Sequence, residues 1–202
     1  MFYLNKQFIG QETEFIENKK GFTILEILIA VTILVIVFTL VTVMYVRGSR
    51  IRNVVVAYNE VGEVLTQMTD VIVNGRKRFI GTDIPGLKVA FKIDGNSNTL
   101  KLIYLYKNNS LNFQISPDTT GDTTIFFSNK SLDPNKKVVL LSGSRFEYYY
   151  ADGSLKTDDQ TYTDTITYVK IILYGKSTSP AMKNMIPIKI ETGIRLKNAP
   201  SF

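Results

Sequence analysis

The stretch FTILEILIAVTILVIVFTLVTVMYV, residues 22–46, decides how the rest of this sequence is read. In its 25 residues only Thr23, Glu26, Thr32, Thr39 and Thr42 are not apolar. Fifteen of the 25 are Ile, Val or Thr, types that favour a strand in water. No globular strand runs that long, and a lone span in lipid must satisfy its own backbone, so the segment is read as a helix. At ~1.5 Å per residue it reaches about 37 Å, enough to cross a hydrocarbon core of about 30 Å. A secretory signal peptide fits poorly. Its apolar region is shorter, and here Tyr45, Val46 and Arg47 follow where a small-x-small cleavage site would stand. A plain single-pass anchor fits the length but leaves Glu26 unexplained, because a carboxylate inside an apolar run costs about 2.5–3.5 kcal/mol at the bilayer centre and reads as functional.

Composition narrows the chemistry. The 202 residues hold no Cys, His or Trp. That excludes a disulfide framework, a Cys/His zinc site, a thiol nucleophile, an imidazole base and a Ser-His-Asp triad. A non-enzyme is expected, with no catalytic residue, no metal and no cofactor. Lys and Arg number 24 against 18 Asp and Glu, a net charge of +6. With 45% hydrophobic residues and a mean hydropathy of +0.04 the chain is neither disordered nor wholly membrane-embedded.

Lys19-Lys20-Gly21 stands directly before the apolar run, and Phe22-Thr23-Ile24-Leu25-Glu26 opens it. This arrangement resembles the N-terminal processing and methylation signature of type IV pilins and type II secretion pseudopilins. The resemblance implies that a membrane-embedded aspartyl peptidase cuts between Gly21 and Phe22, that the same enzyme N-methylates Phe22, and that Glu26 is needed for assembly. It also implies a leader over residues 1–21; the residues themselves predict a membrane and assembly helix over 22–46, an amphipathic continuation over 47–75 and an antiparallel β head over 76–202. Partners would be the peptidase and methyltransferase, other pilin or pseudopilin subunits, an inner-membrane assembly platform and membrane lipid. Electrostatics supports these roles. Glu26 lies in the first helical turn, where the dipole favours negative charge. A neighbour's new Phe22 amine could pair with it in a low dielectric, fixing the stagger between subunits more than adding net stability. The alternative is that Glu26 only caps the helix near the headgroups.

Orientation does not follow from charge. The leader carries Lys6, Lys19 and Lys20 with Glu12, Glu14 and Glu17, while Arg47, Arg50 and Arg52 flank the other end. The resemblance places the leader in the cytoplasm and the head outside, in the inner membrane and then in a filament or its tip.

Beyond the span, Ile51, Val54, Val55, Tyr58, Val61, Leu65, Met68 and Ile72 recur at three- and four-residue steps, an apolar stripe that would seat the head. Asn74-Gly75 signals the helix end. No proline precedes Pro85, a departure from the kinked helix of many major pilins. From Arg76 the period changes. Strands are expected over Leu87–Asp94, Thr99–Lys107, Leu111–Ser116, Thr124–Ser128, Lys137–Leu141, Arg145–Ala151, Thr165–Tyr174 and Ile186–Leu196. The expected class is α+β: a long N-terminal membrane-spanning helix whose C-terminal half packs on an antiparallel sheet.

Ser144-Arg145-Phe146-Glu147-Tyr148-Tyr149-Tyr150-Ala151-Asp152-Gly153, Tyr168-Val169-Lys170-Ile171-Ile172-Leu173 and Glu191-Thr192-Gly193-Ile194-Arg195-Leu196-Lys197-Asn198 are similar to strands of the larger minor subunits, the J type of type II secretion and the W type of type IV pili. A minor subunit is therefore expected. The alternatives are a major pilin and a single-pass protein of a competence-like system whose head binds a ligand or DNA. Arg76, Lys77 and Arg78 form a basic knot expected at the helix C-terminus, where cations suit the dipole or could meet DNA phosphates. Asp152, Asp158, Asp159 and Asp164 could hold Ca²⁺, but their spacing reads as solvated turns. Tyr148, Tyr149 and Tyr150 alternate faces on a strand, so they pack rather than stack on one ligand.

Overall fold

A computed structural model describes residues 22–90, 92–94 (backbone alone at 92 and 94), 100–107, 109–119, 121–157, 166–179, 182 and 184–196. The leader, Gly21, Asp158, Asp159 and Asp164 lie outside the described residues. Helix α1 spans Ile24–Asn74. Antiparallel β-sheets follow it, giving a pilin-like α+β architecture. The chain divides into two compact units between Arg50 and Ile51.

The first unit is helical from Ile24, and every described side chain in it is exposed. Its most apolar window has a mean hydropathy of 3.0, long and apolar enough to cross a membrane. The threonines do not disturb it. The hydroxyls of Thr32, Thr39 and Thr42 donate to the carbonyls of Leu28, Val35 and Phe38, each at 2.8 Å. Each of these three hydroxyls is thus satisfied within the helix, as a span in lipid would require.

In the second unit the helix contributes Ala57, Val61, Leu65, Met68, Val71 and Ile72 to the core. The buried stripe starts later than the sequence suggests. Ile51, Val54 and Val55 keep the spacing but are 65%, 39% and 50% exposed, because no strand of this unit covers that turn. Gly75 ends the helix at φ +75°, a conformation that favours glycine. A Cβ there would stand 2.4 Å from the backbone nitrogen of Gly86, so two glycines let the helix end meet the next hairpin.

That hairpin is β1 (Gly75–Phe79) with β2 (Thr82–Pro85). It corrects the sequence reading, which put Arg76, Lys77 and Arg78 at the helix terminus: the last turn of α1 holds no basic residue, and all three lie exposed on β1. Leu87–Val89 is a 3-10 turn, not strand, and among the described residues of that run only Lys92–Asp94 (β3) is strand. Among the described residues the head has three sheets, where the sequence predicts one antiparallel sheet. A five-stranded sheet runs β3, β4 (Lys101–Tyr106), β5 (Asn109–Pro117), β6 (Thr123–Phe127) and β7 (Lys130–Ser131) in order. In the four-stranded sheet β10 (Ile166–Ser177) pairs β11 (Ile188–Arg195) on one side and both β8 (Val138–Leu140) and β9 (Arg145–Tyr150) on the other.

Helix and sheets close one core. Phe113 stacks on Tyr104 with ring centres 5.7 Å apart and tilts against Phe127 at 5.1 Å. The Tyr104 hydroxyl donates to the Pro85 carbonyl, and burial pushes its pKa up. Tyr148 crosses between the larger sheets, donating to the Lys101 carbonyl at 2.9 Å. Gly175 on β10 lies so close to the helix that a Cβ would sit 3.0 Å from Leu65 Cδ1. Two further ties hold α1 within this unit. Lys137 pairs with Glu60 at 2.5 Å, and the Ile186 N–H donates to the Tyr58 hydroxyl at 3.0 Å.

Candidate functional site at the start of the helix

The site is built from the first residues described. Phe22 is 81% exposed and precedes the helix. Thr23 is the residue before the first helical one, and Glu26 is the third helical position. The Thr23 N–H donates to Glu26 Oε2 at 2.8 Å and its hydroxyl donates to the same oxygen at 3.0 Å. In return the Glu26 N–H donates to Thr23 Oγ1 at 3.2 Å. This is the reciprocal capping box, in which residues three apart satisfy two of the N–H groups that a helix start leaves open.

The spacing Thr-x-x-Glu before an apolar run is the sequence signal for that box, and the sequence reading used only Glu26 from it. Thr23 is therefore a site residue that it missed. The geometry leaves the second carboxylate oxygen, Oε1, without a hydrogen bond from any described residue. Glu26 is thus held in one orientation by Thr23 and still presents an acceptor at the head of an exposed apolar helix.

The remaining sequence candidates fall elsewhere. Arg76, Lys77 and Arg78 project from β1, with the Arg76 guanidinium 5.2 Å from the centre of the Phe79 ring. The Arg78 N–H donates to Asp83 Oδ1 at 2.8 Å, which fixes the hairpin while its side chain stays exposed. Asp152 Oδ1 accepts the N–H and hydroxyl of Ser154 at 2.8 and 2.6 Å, and these bonds hold its pKa below the usual carboxylate value. It is a turn carboxylate.

Residues 17–42 match the family model described as "Prokaryotic N-terminal methylation motif". No curated protein and no solved structure matches the chain. The motif implies a structural subunit, and with the apolar helix it is consistent with membrane anchoring. The chain carries the N-terminal methylation signature of type IV pilin-like proteins.

Proposed function

We propose that the chain is the precursor of a minor pilin or pseudopilin, a structural subunit of a type IV pilus or type II secretion-like filament. Prepilin peptidase removes residues 1–21 by cutting between Gly21 and Phe22, and Phe22 is then N-methylated. Residues 22–46 hold the subunit in the inner membrane with the head outside, and the same helix packs it into the filament. Glu26 meets the Phe22 amine of an adjoining subunit. One observation carries this reading: a carboxylate clamped by Thr23 through one oxygen, at the first turn of an apolar helix that is exposed throughout residues 24–50, four residues behind the expected new amine. A charge so placed is costly in lipid alone and becomes tolerable when paired.

Mass spectrometry of the protein recovered from cells that possess the peptidase tests it. N-methylated Phe22 as the first residue is expected. Recovery of the chain with residues 1–21 attached overturns the proposal. A second reading, phosphate contact by Arg76, Lys77 and Arg78, draws on their exposure on one hairpin strand. DNA retention by the full chain that falls with salt and is lost on replacing the three by Ala would favour it.

A further inference from the structure

Strand β11 is the longest sheet edge among the described residues that has no strand beside it. β3, β7 and β8 have three, two and three residues, and the outer side of β9 is taken by backbone bonds to Ser154 and Lys156. The eight residues of β11 pair with β10 without a register break. The Leu87–Val89 turn approaches β11, yet no backbone hydrogen bond links them. Which groups face outward follows from the register. The Leu196 N–H donates to the Thr167 carbonyl at 2.9 Å, next to the Tyr168–Arg195 pair. Bonded pairs alternate in an antiparallel ladder, so Ile188, Ile190, Thr192 and Ile194 bond to β10. Lys189, Glu191, Gly193 and Arg195 turn their N–H and C=O groups to the open side, and all four are exposed.

The rim of this edge is cationic. Lys170 and Lys189 both reach Glu191, at 2.5 and 2.6 Å, while Arg195 has no ion pair with a described residue. Three cations against one acid favour an acidic partner. They disfavour a second copy: two β11 strands in full antiparallel overlap set Lys189 of one against Arg195 of the other. At the Arg195 end, Tyr149, Tyr150, Thr167 and Tyr168 join Arg195 around a hollow of about 350 Å³. Tyr168 meets Tyr149 edge to face at 5.7 Å and lies over Gly193, where a Cβ would stand 1.7 Å from its hydroxyl.

We propose that β11 is a docking edge for an extended acidic segment of another protein. The segment adds a strand through the backbone groups of Lys189, Glu191, Gly193 and Arg195. Its carboxylates meet Lys189 and Arg195, and one aromatic side chain enters the tyrosine-lined hollow. The proposal goes beyond the filament reading and stands whether or not the N-terminus is processed.

The full chain in detergent micelles, mixed with a short synthetic peptide alternating Glu with Val and Thr and carrying one Phe, provides the test. Saturating peptide is expected to slow amide hydrogen exchange at residues 189, 191, 193 and 195. Arg195→Glu should weaken binding roughly tenfold. Lys189→Pro should bind more weakly than Lys189→Gln, since both remove the charge but only proline removes an outward N–H, a loss that an edge strand tolerates. Three results would each overturn the proposal: the outward amides already protected in the free chain, binding that leaves their exchange unchanged, or equal binding of a peptide with Lys in place of every Glu.

Discussion

At the scale of single residues, Thr23 and Glu26 exchange three hydrogen bonds, and the chemistry of that exchange separates the capping role of the carboxylate from the assembly role proposed for it. Gln at the third helical position completes a capping box as Glu does, but carries no charge. Glu26→Gln should therefore preserve helix content and membrane insertion while abolishing incorporation into filaments. Glu26→Ala should lose incorporation and in addition fray the first turn, at a cost of about 1 kcal/mol. Quantifying the subunit in sheared filaments and in membranes checks both, and normal incorporation of the Gln variant would show that only the cap matters. Glu191 gives a second residue-scale expectation. Hydrogen bonds from Lys170 and then Lys189 lower its pKa from 4.5 to about 2. A carboxyl lowered on folding stabilises the fold while ionised, so its contribution is complete above pH 4.5 and is lost as the pH falls toward about 2. Glu191→Gln should lower the unfolding midpoint slightly at neutral pH, less in high salt, and converge on the parent as the pH falls through about 2. Thermal melts across pH provide the comparison, and an equal deficit at both ends would contradict the assignment.

At the scale of elements, α1 shows which parts of a pattern the packing uses. Leu65 is wholly buried against β10, whereas Val55 shares the same apolar periodicity and is half exposed. Leu65→Ala should cost about 2–5 kcal/mol in denaturant unfolding, and Val55→Ala should be close to neutral. Equal costs would mean that the upper stripe is covered after all. The comparison also explains what could be read from the sequence. The apolar run, its length and the Asn74-Gly75 stop announce the helix and its end, because solvation and glycine's freedom act locally. β4 and β9 announce themselves through alternation of buried with partly buried residues, whereas β10 buries Ile171, Ile172 and Leu173 in succession and announces itself through its β-branched and aromatic content. β1 does not: Arg76, Lys77 and Arg78 carry no alternation, and the strand exists because Gly75 and Gly86 let β2 close beside it. Periodicity likewise reports what could be buried in Ile51–Val55, while burial depends on whether a strand arrives. The same limit applies to the site. Glu26 is conspicuous as a charge in a greasy segment, but Thr23 is one of several threonines, and only the spacing of three distinguishes it.

At the scale of the whole molecule, the two units have opposite relations to water. Every buried side chain among the described residues lies at Ala57 or beyond, and the core joining α1 to the sheets needs nothing before Ile51. The described residues up to Arg50 bury none of their side chains, and their Ile, Val, Leu and Phe residues form a continuous exposed apolar surface. Exposed apolar area of that extent is not sustained by a monomer in water, so lipid or other helices must cover it. Residues 51–202 should then fold as a water-soluble monomer with one cooperative thermal transition, while the full chain requires detergent. Size-exclusion chromatography and circular dichroism of the two proteins decide the matter. Helix content in the truncated chain should correspond to residues 51–74, reduced by fraying at its new start, since a helix begun at Ile51 has no capping residue and its first exposed turn gains nothing from the core. An aggregated or unfolded 51–202 would mean that the head depends on the apolar segment to fold.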